Sequence, residues 1–276
     1  MTNEIIAVAP LSPALGAEVS GVDLGLPLGN QIFREIHNAL MKHQVLFFRD
    51  QEMDHAQHKA LGRLFGELHI HPTAPKPEGH PEILEIHADE NSKVVAGMKW
   101  HSDVSCDIEP PMGSILHLHN IPCVGGDTMF ASMYAAYDGL SEPVKAFISE
   151  LRAWHESAPV HRDRFGSTGK LRDGDNVYPE ALHPIVRTHP VTGRKCLFVN
   201  ENFTTCIEGL RPRESDAILR MLYDHIATPE FHCRFRWEER SVAFWDNRCV
   251  QHRTVWDYYP KVRHGYRVTI SGDKPF

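Results

Sequence analysis

Several kinds of sequence signal are missing from this chain of 276 residues, and each absence excludes a class of protein. No stretch reaches the roughly 18 apolar residues that a membrane span needs, so we expect no membrane partner. There is no basic block and the formal net charge is −7, which argues against a nucleic-acid partner. The opening residues lack the basic-then-apolar pattern of a secretory signal, and we therefore expect a cytoplasmic protein.

The six cysteines are scattered and never form a Cys-x-x-Cys pair, which excludes zinc-ribbon and thioredoxin-like proteins. We expect reduced thiols, most of them buried as small hydrophobic residues. The turn Gly125-Gly126-Asp127-Thr128 resembles a phosphate-binding turn but lacks the Gly-Lys-Ser/Thr of a P-loop. We also find no internal repeat and no low-complexity tract.

Hydrophobic residues make up 42% of the chain and charged residues 24%, as in ordinary globular proteins. The length suits a single domain over residues 1–276. Up to about residue 70, we predict an α/β scaffold: a helix over 31–42, a strand over 45–48, and a helix that Asp54 caps and Gly66 closes.

The remainder is richer in short strands separated by proline and glycine. Alternation is clearest from Phe231 to Trp237, where apolar residues share one face. We also predict strands at 113–121, 196–200, 241–245 and 267–271, and helices near 142–152 and 213–226. This pattern indicates a mainly β protein with flanking helices, arranged as a sandwich or jelly roll. The polar, basic stretch from about 156 to 180 is a candidate lid or a plain surface loop.

Histidine is abundant, with 19 residues, and His-x-Asp occurs three times, at 87/89, 101/103 and 161/163. Two imidazoles and one carboxylate on one face of a metal ion are the ligand set of non-haem ferrous enzymes, which leaves three adjacent positions open. Alternate residues of an extended segment share a face, so His101 and Asp103 can converge on one ion, with His252 as a distant third ligand. The dipeptide alone does not choose among the three pairs.

Arg263 and Arg267 are four residues apart, so in an extended strand they share a face at a separation of about 13 Å. A buried guanidinium without a partner is costly, so two inward-facing arginines imply bound anions or acidic neighbours. The planar fork of arginine suits a carboxylate because it donates two parallel hydrogen bonds.

Longer motifs decide among the pairs. Nearly end to end, the chain resembles the taurine dioxygenase family of ferrous, 2-oxoglutarate-dependent oxygenases. The likeness rests on these segments: His69-Ile70-His71-Pro72, Trp100-His101-Ser102-Asp103, Glu109-Pro110-Pro111-Met112-Gly113, Gly125-Gly126-Asp127-Thr128, residues 183–190, Phe198-Val199-Asn200-Glu201, residues 244–252, and Gly272-Asp273-Lys274-Pro275-Phe276.

The resemblance implies a double-stranded β-helix and an enzyme that consumes 2-oxoglutarate and O₂, releases succinate and CO₂, and hydroxylates a small organic anion. It implies that His101, Asp103 and His252 bind Fe(II). Thr128 and Arg263 would bind the distal carboxylate of 2-oxoglutarate. His71, Arg267 and the backbone N–H of Val104 would face the anionic head of the primary substrate. Relatives also suggest a homodimer or homotetramer.

Three positions in the sequence narrow the range of substrates that we expect. In taurine enzymes polar side chains surround the substrate's amine, and the matching positions here are Ala74, Gly97 and Val160, none of which has a hydrogen-bonding side chain. A buried ammonium needs partners, so we expect poor discrimination in favour of taurine. An alkylsulfonate, an alkyl sulfate ester or a phenoxyalkanoate fits better.

Two other function classes stay open on the residues alone. One is a zinc or cupin-type hydrolase or isomerase that uses His117 and His119, although we expect these to be surface-facing strand residues. The other is a non-enzymatic sensor on a degenerate dioxygenase scaffold. A sensor of that kind, or a halogenase, would lack the carboxylate ligand, so Asp103 favours hydroxylation.

Overall fold

The computed structural model describes residues 5–71, 75–165 and 178–276. Its helices are α1 (Asn30–His43), α2 (His55–Arg63), α3 (Met133–Asp138), α4 (Glu142–Ile148), α5 (Ala158–Phe165) and α6 (Pro212–Ile226), with a 3-10 turn at Pro229–Phe231. Its strands are β1 (Ala7–Pro10), β2 (Ala17–Ser20), β3 (Val45–Phe48), β4 (Ile83–Ala88), β5 (Gly113–Asn120), β6 (Thr128–Ser132), β7 (Arg152–Glu156), β8 (Glu180–Pro184), β9 (Val186–Thr188), β10 (Lys195–Leu197), β11 (Thr204–Ile207), β12 (His232–Phe235), β13 (Val242–Asp246), β14 (Val250–Thr254) and β15 (Arg263–Ile270). None of these helices is long and apolar enough to cross a membrane.

The protein is mainly β, with few helices, as the sequence predicts. Seven strands form one large sheet in the order β1-β2-β3-β13-β5-β15-β4. A second sheet has the order β12-β6-β14, and two further sheets have the orders β11-β7-β8 and β10-β9. All pairings are antiparallel except that of β2 with β3.

The two faces of the large sheet are covered by different apolar clusters, because side chains of a strand alternate between its faces. On β3, Leu46 and Phe48 belong to a cluster that includes Ile36 and Leu40 of α1. Val45 and Phe47 belong to the other cluster, which includes residues of the second sheet. A strand that is buried on both faces is apolar throughout, as this one is.

The apolar cluster that contains Val45 and Phe47 joins the large sheet to the β12-β6-β14 sheet. Phe47 stacks on Phe235 of β12, with ring centroids 3.9 Å apart, and Phe130 of β6 lies 5.7 Å from Trp245 of β13. These aromatic contacts hold the two sheets face to face. The space between them is where polar residues of β14 and β15 meet.

Most of the predicted elements are confirmed. The helix at 31–42 and the strand at 45–48 are present as α1 and β3, and Asp54 accepts a hydrogen bond from the Gln57 N–H at 2.8 Å as the cap of α2. This helix ends at Arg63, ahead of Gly66, and β15 begins at Arg263 rather than at 267. Four cysteines are buried and two exposed, all of them free.

The predicted loop at 156–180 is wrong in its first part, because residues 158–165 form α5. Helical hydrogen bonding within the segment satisfies backbone groups that a loop would expose to water. Residues 166–177 lie outside the described part of the chain, so a lid there stays a prediction.

The expectation of a surface-facing His117 is also wrong, because α2 packs over this face of the large sheet. His117 is 1% exposed and its Nε2 lies 2.9 Å from the Gln51 carbonyl oxygen. His58 of α2 is buried beside it, with Nε2 3.0 Å from the Ile115 carbonyl oxygen. Burial, together with the other imidazole nearby, lowers the pKa of His58 to about 3, and burial chiefly lowers that of His117 to about 4.

These buried histidines make stability depend on pH. In the unfolded chain they titrate near 6.5, so below that pH the unfolded state binds more protons and the folded state loses stability. For each histidine we expect the free energy of unfolding to fall on the order of 1 kcal/mol per pH unit from about pH 6.5 to 4. Urea unfolding across this range measures the slope. His58→Gln keeps a donor for the Ile115 carbonyl and should remove the part of the slope that His58 contributes. An unchanged slope would contradict a lowered pKa for the buried His58.

Candidate active site

His101, Asp103 and His252 converge between the two facing sheets. Their ligand atoms all lie within 4.8 Å of one another, and all three side chains are buried. The two histidines are joined by a short backbone bridge, in which the His101 N–H donates to the His252 carbonyl at 3.2 Å and the reverse bond measures 2.8 Å. Their Nε2 atoms lie 3.8 and 3.9 Å from Oδ1 of Asp103. Three donors around one point are the arrangement that a divalent metal ion requires.

Only His101 of the predicted extended pair lies in extended, bridged backbone; the chain turns at Asp103. Ser102 points the other way and donates to the Val250 carbonyl at 3.0 Å, so the alternation still puts both ligands on one side. Val104 then has φ 45°, which a β-branched residue rarely adopts. Backbone strain of this kind is found mainly at functional sites.

The protonation states suit metal binding. Nδ1 of His101 lies 2.9 Å from the Lys99 carbonyl oxygen, so this nitrogen carries the proton and Nε2 keeps its lone pair for the site. Burial lowers the pKa of both ligand histidines, so both are neutral at pH 7. Burial alone would raise the pKa of Asp103, but the nearby Arg267 guanidinium opposes this effect, and the pKa of Asp103 is held below its usual range.

Aromatic rings orient His252. Its Nδ1 is buried and has no hydrogen-bond partner among the described residues. The imidazole instead packs against Trp245, at a centroid distance of 4.6 Å, and lies parallel to Phe130 at 6.1 Å. Packing therefore fixes the orientation of the His252 ring, as the hydrogen bond to the Lys99 carbonyl fixes that of His101.

Arg263 is a buried cation without a carboxylate partner. It is 2% exposed, and no acidic group in the described ranges lies within ion-pair distance of it. Its Nε–H donates to the Gly126 carbonyl at 3.0 Å and its Nη2 to Thr128 Oγ1 at 3.2 Å. Burial lowers the pKa of Arg263 to about 10, which leaves it charged at neutral pH. Its charge also lies over the Trp237 ring, 5.6 Å from the centroid. A buried positive charge with only neutral partners among the described residues favours a bound anion.

The Thr128 hydroxyl is prepared for the same anion. Its oxygen accepts from Trp237 Nε1 at 3.0 Å as well as from Arg263, which occupies both lone pairs. Its own proton is therefore free to be donated to an anion beside Arg263. The Gly126 carbonyl and the Thr128 hydroxyl thus orient the Arg263 guanidinium from this turn.

The three predicted substrate residues share one cavity, which is lined by His69, His71, Lys76, Pro81, Glu82, Ile83, Leu84, Val104, Arg267 and Thr269. Burial and the nearby Arg267 lower the pKa of His71 to about 4, so His71 is neutral. Arg267 has an acidic neighbour, one of the two partners expected for an inward-facing arginine, because its Nη1 donates to Asp103 Oδ1 at 2.7 Å. Its Nε–H is buried without a partner in the described part of the chain and remains a donor for an anion.

Of the three positions that match the amine pocket of the taurine enzymes, the structure describes two. Gly97 has φ 79°, and a Cβ there would lie 3.0 Å from Cε1 of His101, so a side chain would press on this imidazole. Val160 is half-buried in α5, and Ala74 lies outside the described residues.

Other histidine groups do not form comparable sites. His87 is 46% exposed in its side chain and lies 3.5 Å from Asp89, and the His161 side chain lies outside the described set. His117 is committed to the Gln51 carbonyl, and no metal-like group of three donors in the described ranges includes it. This arrangement does not favour the zinc alternative.

A second cluster, His189, Asp246 and Cys249, also brings three donors together. Its polar groups are already paired: His189 Nε2 lies 3.0 Å from Asp246 Oδ2, and Arg248 donates to both oxygens of Asp246 at 2.9 and 2.7 Å. The Arg248 N–H donates to Asp246 Oδ1 at 3.0 Å, which is the hydrogen bond of an Asx-type turn. This cluster stabilises the turn that precedes His252.

Sequence reasoning missed Ser114, Asn247 and Trp237. Ser114 contacts the Asp103 carboxylate, Asn247 contacts Ser114 and the Asp103 backbone, and Trp237 contacts Thr128. The available signal in the sequence was that Ser114 is a small polar residue at the start of a predicted strand, and that Asn247 lies in one of the segments that carry the family resemblance.

Comparison with known proteins places the chain. The family model of the taurine catabolism dioxygenases, the TauD, TfdA family, matches residues 7–269. The chain belongs to this family.

The relatives cover nearly the whole chain. It is 33% identical over 285 residues to the alpha-ketoglutarate-dependent sulfonate dioxygenase of Saccharomyces cerevisiae, covering 98% of this chain and 68% of that one. It is 34% identical over 284 residues to the alpha-ketoglutarate-dependent sulfate ester dioxygenase of Pseudomonas putida, covering 97% and 90%. A taurine dioxygenase crystal structure from Burkholderia xenovorans superposes with TM-score 0.85 at 38% identity, covering 98% and 91%. The chain is accordingly a 2-oxoglutarate-dependent dioxygenase.

The convergence of three ligands predicts selective metal binding. Asp103→Asn removes the only charged ligand, so we expect binding of Co(II), a stand-in for the native divalent ion, to weaken by more than about tenfold. Calorimetric titration of the folded protein measures this. Cys249→Ala, in the second cluster, should leave the affinity unchanged. Equal affinity in Asp103→Asn and the unsubstituted protein would show that the metal binds elsewhere.

Proposed function

We propose that this dioxygenase hydroxylates an alkylsulfonate or alkyl sulfate ester, using Fe(II) held by His101, Asp103 and His252. Supporting this is one observation above all: a buried His-Asp-His group lies between the same two sheets as a buried arginine that has no carboxylate partner. A metal alone does not require such an arginine. A metal-binding keto acid with a second, distant carboxylate does.

The donor set fits ferrous iron. Two neutral imidazoles and one ionised carboxylate hold such an ion on one face and leave the opposite face for other ligands. When bound, the iron supplies the activation of O₂ and the oxidation of an unreactive C–H bond. The protein's own task is to bind the two organic anions in fixed positions and to keep water out.

Arg263 and Thr128 are proposed to bind the distal carboxylate of 2-oxoglutarate. Arg263 offers a desolvated cation, and Thr128 offers a hydroxyl proton that no described group accepts. In a buried site both hydrogen bonds are stronger than in water. This pairing would set the keto acid's orientation and distance from the metal ligands.

At the other end of the site, His71, Arg267 and the Val104 backbone N–H are proposed to bind the substrate's anionic head. Arg267 would serve two groups at once, with Nη1 on Asp103 and the buried Nε–H toward the cavity. His71 is neutral and contributes one N–H donor. The Arg267 guanidinium faces the cavity, whereas Gly97 and Val160 add no hydrogen-bonding side chain.

The products follow from the position of the hydroxylated carbon. One oxygen atom of O₂ enters the succinate formed from 2-oxoglutarate, with loss of CO₂, and the other becomes the new hydroxyl. If that carbon bears a sulfonate, the C–S bond breaks to give an aldehyde and sulfite. If it bears a sulfate ester oxygen, the C–O bond breaks to give an aldehyde and sulfate.

The two facing sheets are proposed to be the halves of a double-stranded β-helix within a single domain of residues 1–276. A homodimer or homotetramer in the cytoplasm stays part of the proposal, from the resemblance alone.

Removal of the buried cation should abolish the preference for a dicarboxylic keto acid. In Arg263→Met we expect 2-oxoglutarate to bind about 10- to 100-fold more weakly, the usual cost of losing a charge-assisted bond. Binding of 2-oxobutyrate, which chelates a metal equally but lacks the distal carboxylate, should change little. Calorimetry on the metal-loaded protein compares both acids. An undiminished preference for 2-oxoglutarate would rule out Arg263 as its anchor.

Substrate preference can be measured as succinate formed with hexanesulfonate, hexyl sulfate, taurine or a phenoxypropionate. We expect one of the first two to exceed taurine by at least about tenfold in kcat/KM, since a buried ammonium would lack partners. A clear preference for taurine rejects the amine-pocket reasoning. A preference for the phenoxypropionate places the enzyme with aryl ether substrates instead.

A further inference from the structure

The two oxygens of the Asp103 carboxylate have different surroundings. Oδ1 faces the Nε2 atoms of the two ligand histidines and accepts a hydrogen bond from Arg267 at 2.7 Å. Oδ2 accepts a hydrogen bond from the Ser114 hydroxyl at 2.7 Å. Ser114 is fully buried, so water does not compete for this bond.

Asn247 determines the direction of the Ser114 hydrogen bond. Its Oδ1 accepts from the Asp103 N–H at 3.2 Å and from Trp245 Nε1 at 2.9 Å. Two donors at Oδ1 leave only one orientation for the amide, with Nδ2 directed at Ser114 Oγ at 3.2 Å. The serine oxygen therefore accepts from Asn247, and its proton is directed to Asp103.

The pairing of strands places these residues. Ser114 on β5 is the register partner of Trp245 on β13, and Asn247 follows two residues after Trp245 at the end of that strand. The backbone of the central sheet thus carries the serine, while the turn after β13 carries the asparagine. Such a site is built on rigid elements and holds its groups precisely.

We propose that Ser114, oriented by Asn247, keeps Oδ2 of Asp103 hydrogen-bonded, so that only Oδ1 binds the metal. This inference rests on the proposed metal site. Its consequence is that three metal positions stay open, two for the oxygens of the keto acid and one for O₂. If both carboxylate oxygens bound the metal, one of these positions would be filled. Ser114 and Asn247 are positioning residues, since they touch the ligand and not the metal.

The decisive variant is Ser114→Ala. With Oδ2 released, we expect the carboxylate to bind through both oxygens, so Co(II) affinity should be equal to or tighter than that of the unsubstituted protein. Binding of 2-oxoglutarate to the Co(II) protein should weaken by about tenfold, because the keto acid must displace an oxygen. The visible Co(II) spectrum should change, and X-ray absorption should show one more oxygen ligand. Ser114→Thr keeps a hydroxyl and should restore the original spectrum.

Ser132→Ala is the matched control. Ser132 is equally buried and its hydroxyl donates to Gln44 Oε1 at 2.6 Å, away from the metal ligands. It should lower stability without moving the Co(II) spectrum. If Ser114→Ala weakens Co(II) binding and leaves the spectrum unchanged, Ser114 is merely structural and the inference is overturned. If the unsubstituted protein binds no metal at the three ligands, the proposed function fails first.

Discussion

The active site depends on keeping one buried carboxylate ionised. Burial of Asp103 opposes its negative charge, and the positive charge of the Arg267 guanidinium compensates for it. Removal of this guanidinium would leave an uncompensated charge in a low dielectric. The same balance keeps the histidines neutral, because burial penalises their protonated forms. All three side chains are therefore in the forms that bind a cation.

The two sheets provide the rigid frame for this balance. His252 lies on the β12-β6-β14 sheet, whereas Ser114 and Arg267 lie on the seven-stranded sheet, and aromatic stacking holds these two sheets together. Each sheet contributes polar residues to the space between them and apolar residues around it. The site is therefore as fixed as the core, since a shift of one sheet would disturb both.

The two arginines of β15 extend this balance of charge beyond His101, Asp103 and His252. Arg263 and Arg267 lie on one strand, yet each holds a different partner: Thr128 for the first and Asp103 for the second. Among the described residues Arg263 contacts neutral oxygens and the Trp237 ring, so it suits a ligand that brings its own negative charge. Arg267 is already paired with a carboxylate, and only its remaining donors are free for substrate.

Much of this protein was determined by its sequence. Periodicity indicated α1, β3 and the alternating strand at 231–237, because each buries an apolar face whatever its partner. The family resemblance singled out His101, Asp103 and His252, because residue types alone left three His-x-Asp pairs open. The sequence did not indicate that His117 is buried, that residues 158–165 form a helix, or that Arg267 pairs with Asp103. Nor did it distinguish the two oxygens of Asp103. Those outcomes depend on which strands become neighbours and which helix covers them, and such contacts join residues that are far apart in the chain.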